Sequence, residues 1–134
     1  MPTTTVEWVK DKTFIGTDSG GHSVVLSGDD PAIGVRPSQM LLVALAACTG
    51  YDVVDIMEKK RKPLSSLQVF TTGEHDKEYP RPFRTIHIKY VVSGENLTEK
   101  AVAHAISLSE EKYCSVAATL RGVATITTSF EIVE

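Results

Sequence analysis

The apolar residues of this chain follow two different rhythms. From Thr5 to Leu26 they come in short runs rich in β-branched and aromatic side chains. Val6, Trp8 and Val9 fall within Thr5–Lys10, Phe14 and Ile15 follow, and Val24, Val25 and Leu26 close His22–Leu26. Short runs of this kind between turn residues read as strands. Lys10-Asp11-Lys12, Thr17-Asp18-Ser19-Gly20-Gly21 and Ser27-Gly28-Asp29-Asp30-Pro31 supply the turns, the glycines by tolerating positive φ. Residues 1–36 therefore predict an antiparallel meander.

Between Pro37 and Arg61 the strand rhythm stops. No Pro follows Pro37 in this stretch, and its one Gly is Gly50. Ser38 can cap a helix here, or Pro37 can occupy its first turn. From Met40 to Cys48 such a helix is apolar all round, which predicts a central buried helix. Beyond Gly50 it becomes amphipathic, with Val53, Ile56 and Met57 on one side and Glu58, Lys59, Lys60 and Arg61 toward solvent. Basic residues suit the negative end of the helix dipole, and Pro63 ends the helix.

Strand rhythm returns at Leu67–Glu74 and is clearest at Arg84–Val92. There Ile86, Ile88, Tyr90 and Val92 share one face, and Thr85, His87 and Lys89 the other. Glu78-Tyr79-Pro80-Arg81-Pro82 forms the hairpin loop between them. Asn96-Leu97-Thr98-Glu99 resembles a capping box with Asn96 as the cap. It opens a helix whose inner face is Ala101, Val102, Ala105 and Ile106. A short helix over Tyr113–Leu120 ends at Gly122, and Val123–Val133 is a last strand with Ala124, Ile126, Phe130 and Ile132 inward. This order predicts an α+β fold, antiparallel β-sheets around a long central buried helix, in a single domain over 1–134.

Composition narrows the function. The 134 residues are 42% hydrophobic and 23% charged, a globular balance, and the length suits one domain able to hold a core without staples. The formal charge of −3, with no basic run beyond Lys59–Lys62, argues against nucleic acid as a partner. Met40–Cys48, the longest unbroken apolar run, is less than half a membrane span, and no secretory leader is expected. A soluble, cytoplasmic protein is the expectation.

The candidate chemistry rests on two cysteines, too few for a disulfide scaffold or a four-thiolate zinc site. Cys48 lies in Ala46-Ala47-Cys48-Thr49-Gly50, whose small side chains let a substrate or another backbone come close. In an apolar helix, burial is expected to hold it as a thiol. Cys114, in Glu111-Lys112-Tyr113-Cys114-Ser115, falls near a helix N-terminus, where a thiolate is stabilised. On residue types alone Cys114 is therefore the more acidic thiol. His22, His75, His87 and His104 show no metal-ligand spacing, so no metal or other cofactor is expected. Asp52 and Asp55 find no matching acid–base constellation, and no serine sits in a nucleophile elbow.

Arg36-Pro37-Ser38-Gln39-Met40-Leu41-Leu42-Val43-Ala44-Leu45-Ala46-Ala47-Cys48-Thr49-Gly50-Tyr51-Asp52-Val53-Val54-Asp55-Ile56 resembles the central-helix signature of the OsmC/Ohr proteins. These are the osmotically inducible and organic hydroperoxide resistance proteins. Glu111-Lys112-Tyr113-Cys114-Ser115-Val116 is similar to their second cysteine motif, 66 residues on. The Asp52–Ile56 continuation and the Gly16–His22 turn resemble the OsmC-like branch. The resemblance implies two sheets around a central helix, completed in an intertwined homodimer. It also implies thiol-dependent reduction of organic hydroperoxides. Cys48 would be the peroxidatic thiolate that becomes a sulfenic acid, and Cys114 the resolving thiol, with an external dithiol as reductant.

The same resemblance exposes departures. Active members of the family hold the peroxidatic thiolate with an arginine and a glutamate. Here Ser38 and Gln39 stand where the glutamate is expected, and no Arg precedes Arg36. Arg36 and Gln39 are the candidates nearest in sequence, with Arg81, Arg84 and Arg121 as alternatives across a dimer. Two readings follow: a peroxidase built on Cys48 and Cys114, or a non-catalytic protein holding a small apolar or thiol-reactive ligand in a dimer groove.

Overall fold

A computed structural model describes residues Met1–Glu134. The chain divides into two compact units, Met1–Leu41 and Leu42–Glu134.

The first unit is the expected meander. Strands β1 (Thr5–Lys10), β2 (Thr13–Thr17) and β3 (Ser23–Ser27) pair antiparallel in that order, with Glu7 opposite Ile15 and Phe14 opposite Leu26. In the β2–β3 turn the Asp18 carboxylate accepts the N–H groups of Gly20 and His22, each at 2.9 Å, while Gly21 takes φ +87°. After β3 the chain folds back on itself, Leu26 bridging to Val35. Gly34 permits this: a Cβ there would lie 2.6 Å from the Val25 carbonyl oxygen. The Ser27 hydroxyl accepts from Gly34 N–H at 2.9 Å, which holds the return in place. No large apolar side chain of this unit is buried, and Val6, Trp8 and Val9 are all exposed.

Helix α1 (Pro37–Lys59) begins in the first unit and continues into the second. There it is joined by β4 (Ser66–His75), β5 (Phe83–Ser93), α2 (Glu99–Leu108), a π turn over Ser109–Tyr113, α3 (Ser115–Leu120) and β6 (Thr125–Ile132). The sheet order is β4-β5-β6. β4 and β5 form the predicted antiparallel hairpin, with Val69 opposite Tyr90. β6 departs from the antiparallel expectation: it runs parallel to β5, with Ile88 beside Thr128. The α2–α3 crossover carries the chain back along the sheet before β6 begins, the connection that parallel neighbours require.

The core of this unit follows the predicted faces. Ile86, Ile88, Tyr90 and Val92 of β5 are at most 1% exposed and pack with Ala101, Val102, Ala105 and Ile106 of α2. Each aliphatic side chain buried this way contributes about 1.5–3 kcal/mol. Helix α1 adds Leu45, Thr49, Val53 and Met57, a stripe repeating every fourth residue on one face. Its opposite side leaves Val43, Tyr51 and Val54 exposed, so the helix is buried along a stripe rather than all round. By length and hydropathy α1 would suffice to cross a membrane, yet its stripe is seated in this core. At α2 the cap is Thr98, whose hydroxyl accepts from Ala101 N–H at 3.1 Å. Asn96, the expected cap, instead takes a left-handed φ of 61° in the preceding turn.

Candidate functional site

Cys48 and Cys114 are brought together within the second unit. Both thiols are free, Cys48 packs against the buried cluster that contains Cys114, and its side chain is near enough to push the Cys114 thiol up. Cys48 sits on α1 one residue before the buried Thr49 and is half-buried. Cys114 is 3% exposed at the junction between the π turn and α3. The exposures thus reverse the expectation that Cys48 would be the deeply buried thiol.

The environment of Cys114 corrects a second expectation. Its sulfur caps α3, accepting from Ala117 N–H at 3.3 Å, as its place at a helix start predicts. The thiol is nonetheless pushed up to about 11, first by burial and then by the adjacent Cys48 side chain. The backbone N–H groups of Ala117 and Val116 act in the opposite direction and are outweighed. A six-residue helix has few aligned peptide dipoles, whereas burial removes the water that a thiolate needs. At neutral pH Cys114 therefore keeps its proton.

Around this pair runs a buried chain of hydroxyls. Thr49 Oγ1 lies 2.6 Å from Tyr90 Oη and 2.9 Å from Ser109 Oγ, and Ser109 donates to Asp52 Oδ2 at 2.8 Å. Thr49, Tyr90 and Ser109 are fully buried. Burial pushes the Tyr90 phenol up to about 12, with the Glu110, Cys114 and Asp52 charges acting the same way. Glu110 is raised above the usual carboxylate range by burial, against the pull of Arg121, and its Oε1 has no hydrogen-bond partner. The Arg121 guanidinium donates to the Glu110 carbonyl.

The sequence missed Thr49, Tyr90, Ser109 and Glu110. A signal for the first two existed. Thr49 interrupts the apolar stripe Leu45–Val53–Met57, and the Tyr90 hydroxyl sits among Ile86, Ile88 and Val92. Both are polar groups on faces that must be buried, and such groups need partners.

The remaining candidates lie elsewhere. In the first unit Arg36 is exposed and pairs with Asp29 at 2.6 Å, and Gln39 is exposed on the first turn of α1. In the second unit Arg84 pairs with Asp76 at 3.1 Å, and Arg81 leans over the Tyr79 ring. His87 is exposed, its two ring nitrogens bonded to Thr127 Oγ1 at 2.7 Å and Ser129 Oγ at 2.8 Å. No three His, Cys, Asp or Glu side chains converge on a point that could hold a metal ion. An open groove of about 510 Å³ follows α1, lined by Ala47, Gly50, Tyr51, Val54 and Leu67 among others, and Cys48 is not part of its lining.

The family model for OsmC-like proteins matches residues 28–129, a span that includes both cysteines. Protein YhfA of Escherichia coli strain K12 is 39% identical over 128 residues, 96% of each chain. The chain belongs to the OsmC family. Its fold is also that of solved OsmC-family structures. An OsmC-like protein from Mycoplasma pneumoniae superposes with a TM-score of 0.86 at 20% identity, over 100% of this chain and 98% of that one. The organic hydroperoxide resistance protein OhrB of Bacillus subtilis gives 0.65 at 14% identity, over 98% of each. These two likenesses speak to the OsmC fold alone. The OsmC-family assignment agrees with the resemblance carried by the two cysteine motifs.

Proposed function

We propose that this OsmC-family protein is a cytoplasmic thiol peroxidase acting on organic hydroperoxides. The observation that carries the reading is the pairing of unlike thiols: a half-buried Cys48 against a buried Cys114 that keeps its proton. The Cys48 thiolate attacks one oxygen of the hydroperoxide, the O–O bond breaks, and the departing alkoxide takes a proton to leave as alcohol. Cys48 is left as a sulfenic acid. The Cys114 sulfur then displaces hydroxide from the Cys48 sulfur, and the Cys114 proton makes that hydroxide water. A raised Cys114 suits this order, because it is inert toward peroxide and still carries the proton that the second step consumes. An external dithiol returns the two electrons. Arg36 and Gln39 stay the candidates for the family's thiolate-holding cation and its hydrogen-bonding partner. Because Arg36 stands ~18 Å along α1 from the Cys48 of its own chain, it could serve only the Cys48 of a second copy. Arg36 would have to give up Asp29 to serve.

The working form is proposed to be a homodimer and each chain a single domain. Val6, Trp8 and Val9 of the first unit are exposed, as are Val43, Tyr51 and Val54 of the second. Apolar surface on this scale in each unit is what a second copy would cover. Light scattering should give twice the 14.6 kDa chain mass. Two free thiols suit a reducing compartment.

The test is protein-dependent oxidation of dithiothreitol by cumene hydroperoxide. Saturable turnover supports the reading, and a rate equal to the protein-free background contradicts it. The open groove along α1 favours one second reading, a non-catalytic protein binding a small apolar or thiol-reactive ligand. An apolar molecule retained on the purified protein, together with absent turnover, would select it.

A further inference from the structure

Ser109 makes two attachments that join the cysteine-bearing segments. Its carbonyl accepts the Cys114 N–H at 2.8 Å, the bond that closes the π turn. Its hydroxyl meets Thr49 at 2.9 Å and Asp52 at 2.8 Å, the first directly after Cys48 on α1 and the second a helical turn beyond it. A path thus runs from Cys48 through the peptide bond to Thr49, across to Ser109, and through one backbone hydrogen bond to Cys114. The order of donors is set from the Asp52 end. Ser109 gives its one proton to Asp52, so Thr49 must donate to Ser109 and Tyr90 to Thr49. Every hydroxyl in the chain then donates once and accepts once, except Tyr90 at its start.

The segment that Ser109 holds is irregular. A π turn inserts an extra residue relative to an α-helical turn, so the regular repeat of α2 does not by itself set where Cys114 emerges. Apolar packing alone would let that turn slide along α1 at little cost. Hydrogen bonds of fixed length and direction do not, and in a buried site a broken one leaves unpaired groups. Filling the same space with well-packed apolar side chains would provide no less stability than the hydroxyls do. What the hydroxyl chain adds is position.

We propose that Thr49, Ser109 and Asp52 are positioning residues for the cysteine pair, holding the π turn so that the Cys114 sulfur stays in reach of Cys48. The proposal rests on the reading of Cys48 and Cys114 as a redox pair. It predicts that loss of the hydroxyl chain weakens disulfide closure itself.

The experiment equilibrates the full-length protein with mixtures of reduced and oxidised glutathione, quenches with acid, and reads the Cys48–Cys114 disulfide by alkylation and intact mass. In each case oxidised glutathione takes up the two electrons and two protons that the thiols lose. Thr49→Val and Ser109→Ala should lower the closure constant ~10-fold or more, since displacement of ~1 Å can cost ~100-fold in a proximity-driven step. Thr49→Ser, which keeps the hydroxyl, should restore it to near the wild-type value. Asp52→Ala, at the half-exposed end, should fold even if the buried variants do not, and should lower the constant ~3-fold as the outermost link. A purely structural role would lower the melting temperature of the reduced variants and leave the closure constant unchanged, which overturns the proposal. A wild-type protein that forms no internal disulfide at any glutathione ratio overturns both the redox-pair reading and this one.

Discussion

Cys48 and Cys114 are the same chemical group, side by side in one unit, and their surroundings separate them. Cys48 lies in the middle of a long helix among alanines and keeps part of its surface open. Cys114 sits where a π turn meets a short helix, is 3% exposed, and has its thiol pushed up to about 11. By local position alone the order should be reversed, since only Cys114 is at a helix start. An exposed helix end favours an anion by only about 0.3–1 kcal/mol, and burying a thiolate costs more than that. The comparison teaches that a cysteine's chemical role follows from how much water reaches it before it follows from the element that carries it.

Removing either thiol should break the comparison most sharply. Cys48→Ser is expected to lower hydroperoxide turnover ~1000-fold or more, the scale seen when a covalent nucleophile is lost. Cys114→Ser is expected to leave one turnover per chain and a sulfenic acid that dimedone traps. Equal activity in the two variants would show that the thiols are not divided into two roles.

Next in size is the loss of a link in the hydroxyl chain. Thr49→Val leaves the Tyr90 and Ser109 hydroxyls without their partner in a buried site. The expected cost is about 1–3 kcal/mol in urea unfolding, against a near-neutral Thr49→Ser. Indistinguishable midpoints for Thr49→Val and wild type would mean that the chain bears no load.

The raised thiol also leaves an alkaline signature. In the unfolded chain Cys114 ionises near its ordinary value of 9.0, and in the folded protein only near 11. Its contribution is therefore fully present below about pH 9 and is lost as the pH rises toward 11. Tyr90, raised from 10.0 to about 12, extends the decline in the same direction. Unfolding midpoints should fall from pH 9 upward, and Cys114→Ser should flatten the first part of that fall. An unchanged slope in the variant would place Cys114 in a wetter environment than described.

The smallest effect is expected at Glu110. Its carboxyl is raised by burial, so its ionised form costs stability at neutral pH, a cost relieved as the pH falls into the carboxylate range. Glu110→Gln should raise the melting temperature slightly at pH 7 and leave it unchanged near pH 4. A lower melting temperature at pH 7 would mean that the Arg121 charge outweighs burial.

Much of this arrangement was legible in the sequence. β-Branched runs and glycine turns marked the meander, and the strict alternation of Ile86, Ile88, Tyr90 and Val92 marked the inner face of β5. The two cysteine motifs marked the family and the pair. Three features were not legible, each because tertiary structure decides it. Whether β6 runs parallel depends on where the crossover returns the chain, which its own residues do not encode. The one-sided burial of α1 depends on what packs against it, because residues 40–48 are apolar in every direction. The order of the thiols depends on burial, and Cys114 is buried by residues distant in sequence. The π turn adds to this, since Ser109-Glu110-Glu111-Lys112-Tyr113 carries no pattern that separates it from an α-helical turn.

The most direct test of the division of labour between the two thiols is a thiol titration with intact mass. Native protein is measured before and after one equivalent of cumene hydroperoxide, with no added reductant. The account predicts rapid loss of both thiols and of about two mass units, the mark of a disulfide formed without net gain of oxygen. Two thiols that stay reduced under excess hydroperoxide would contradict it.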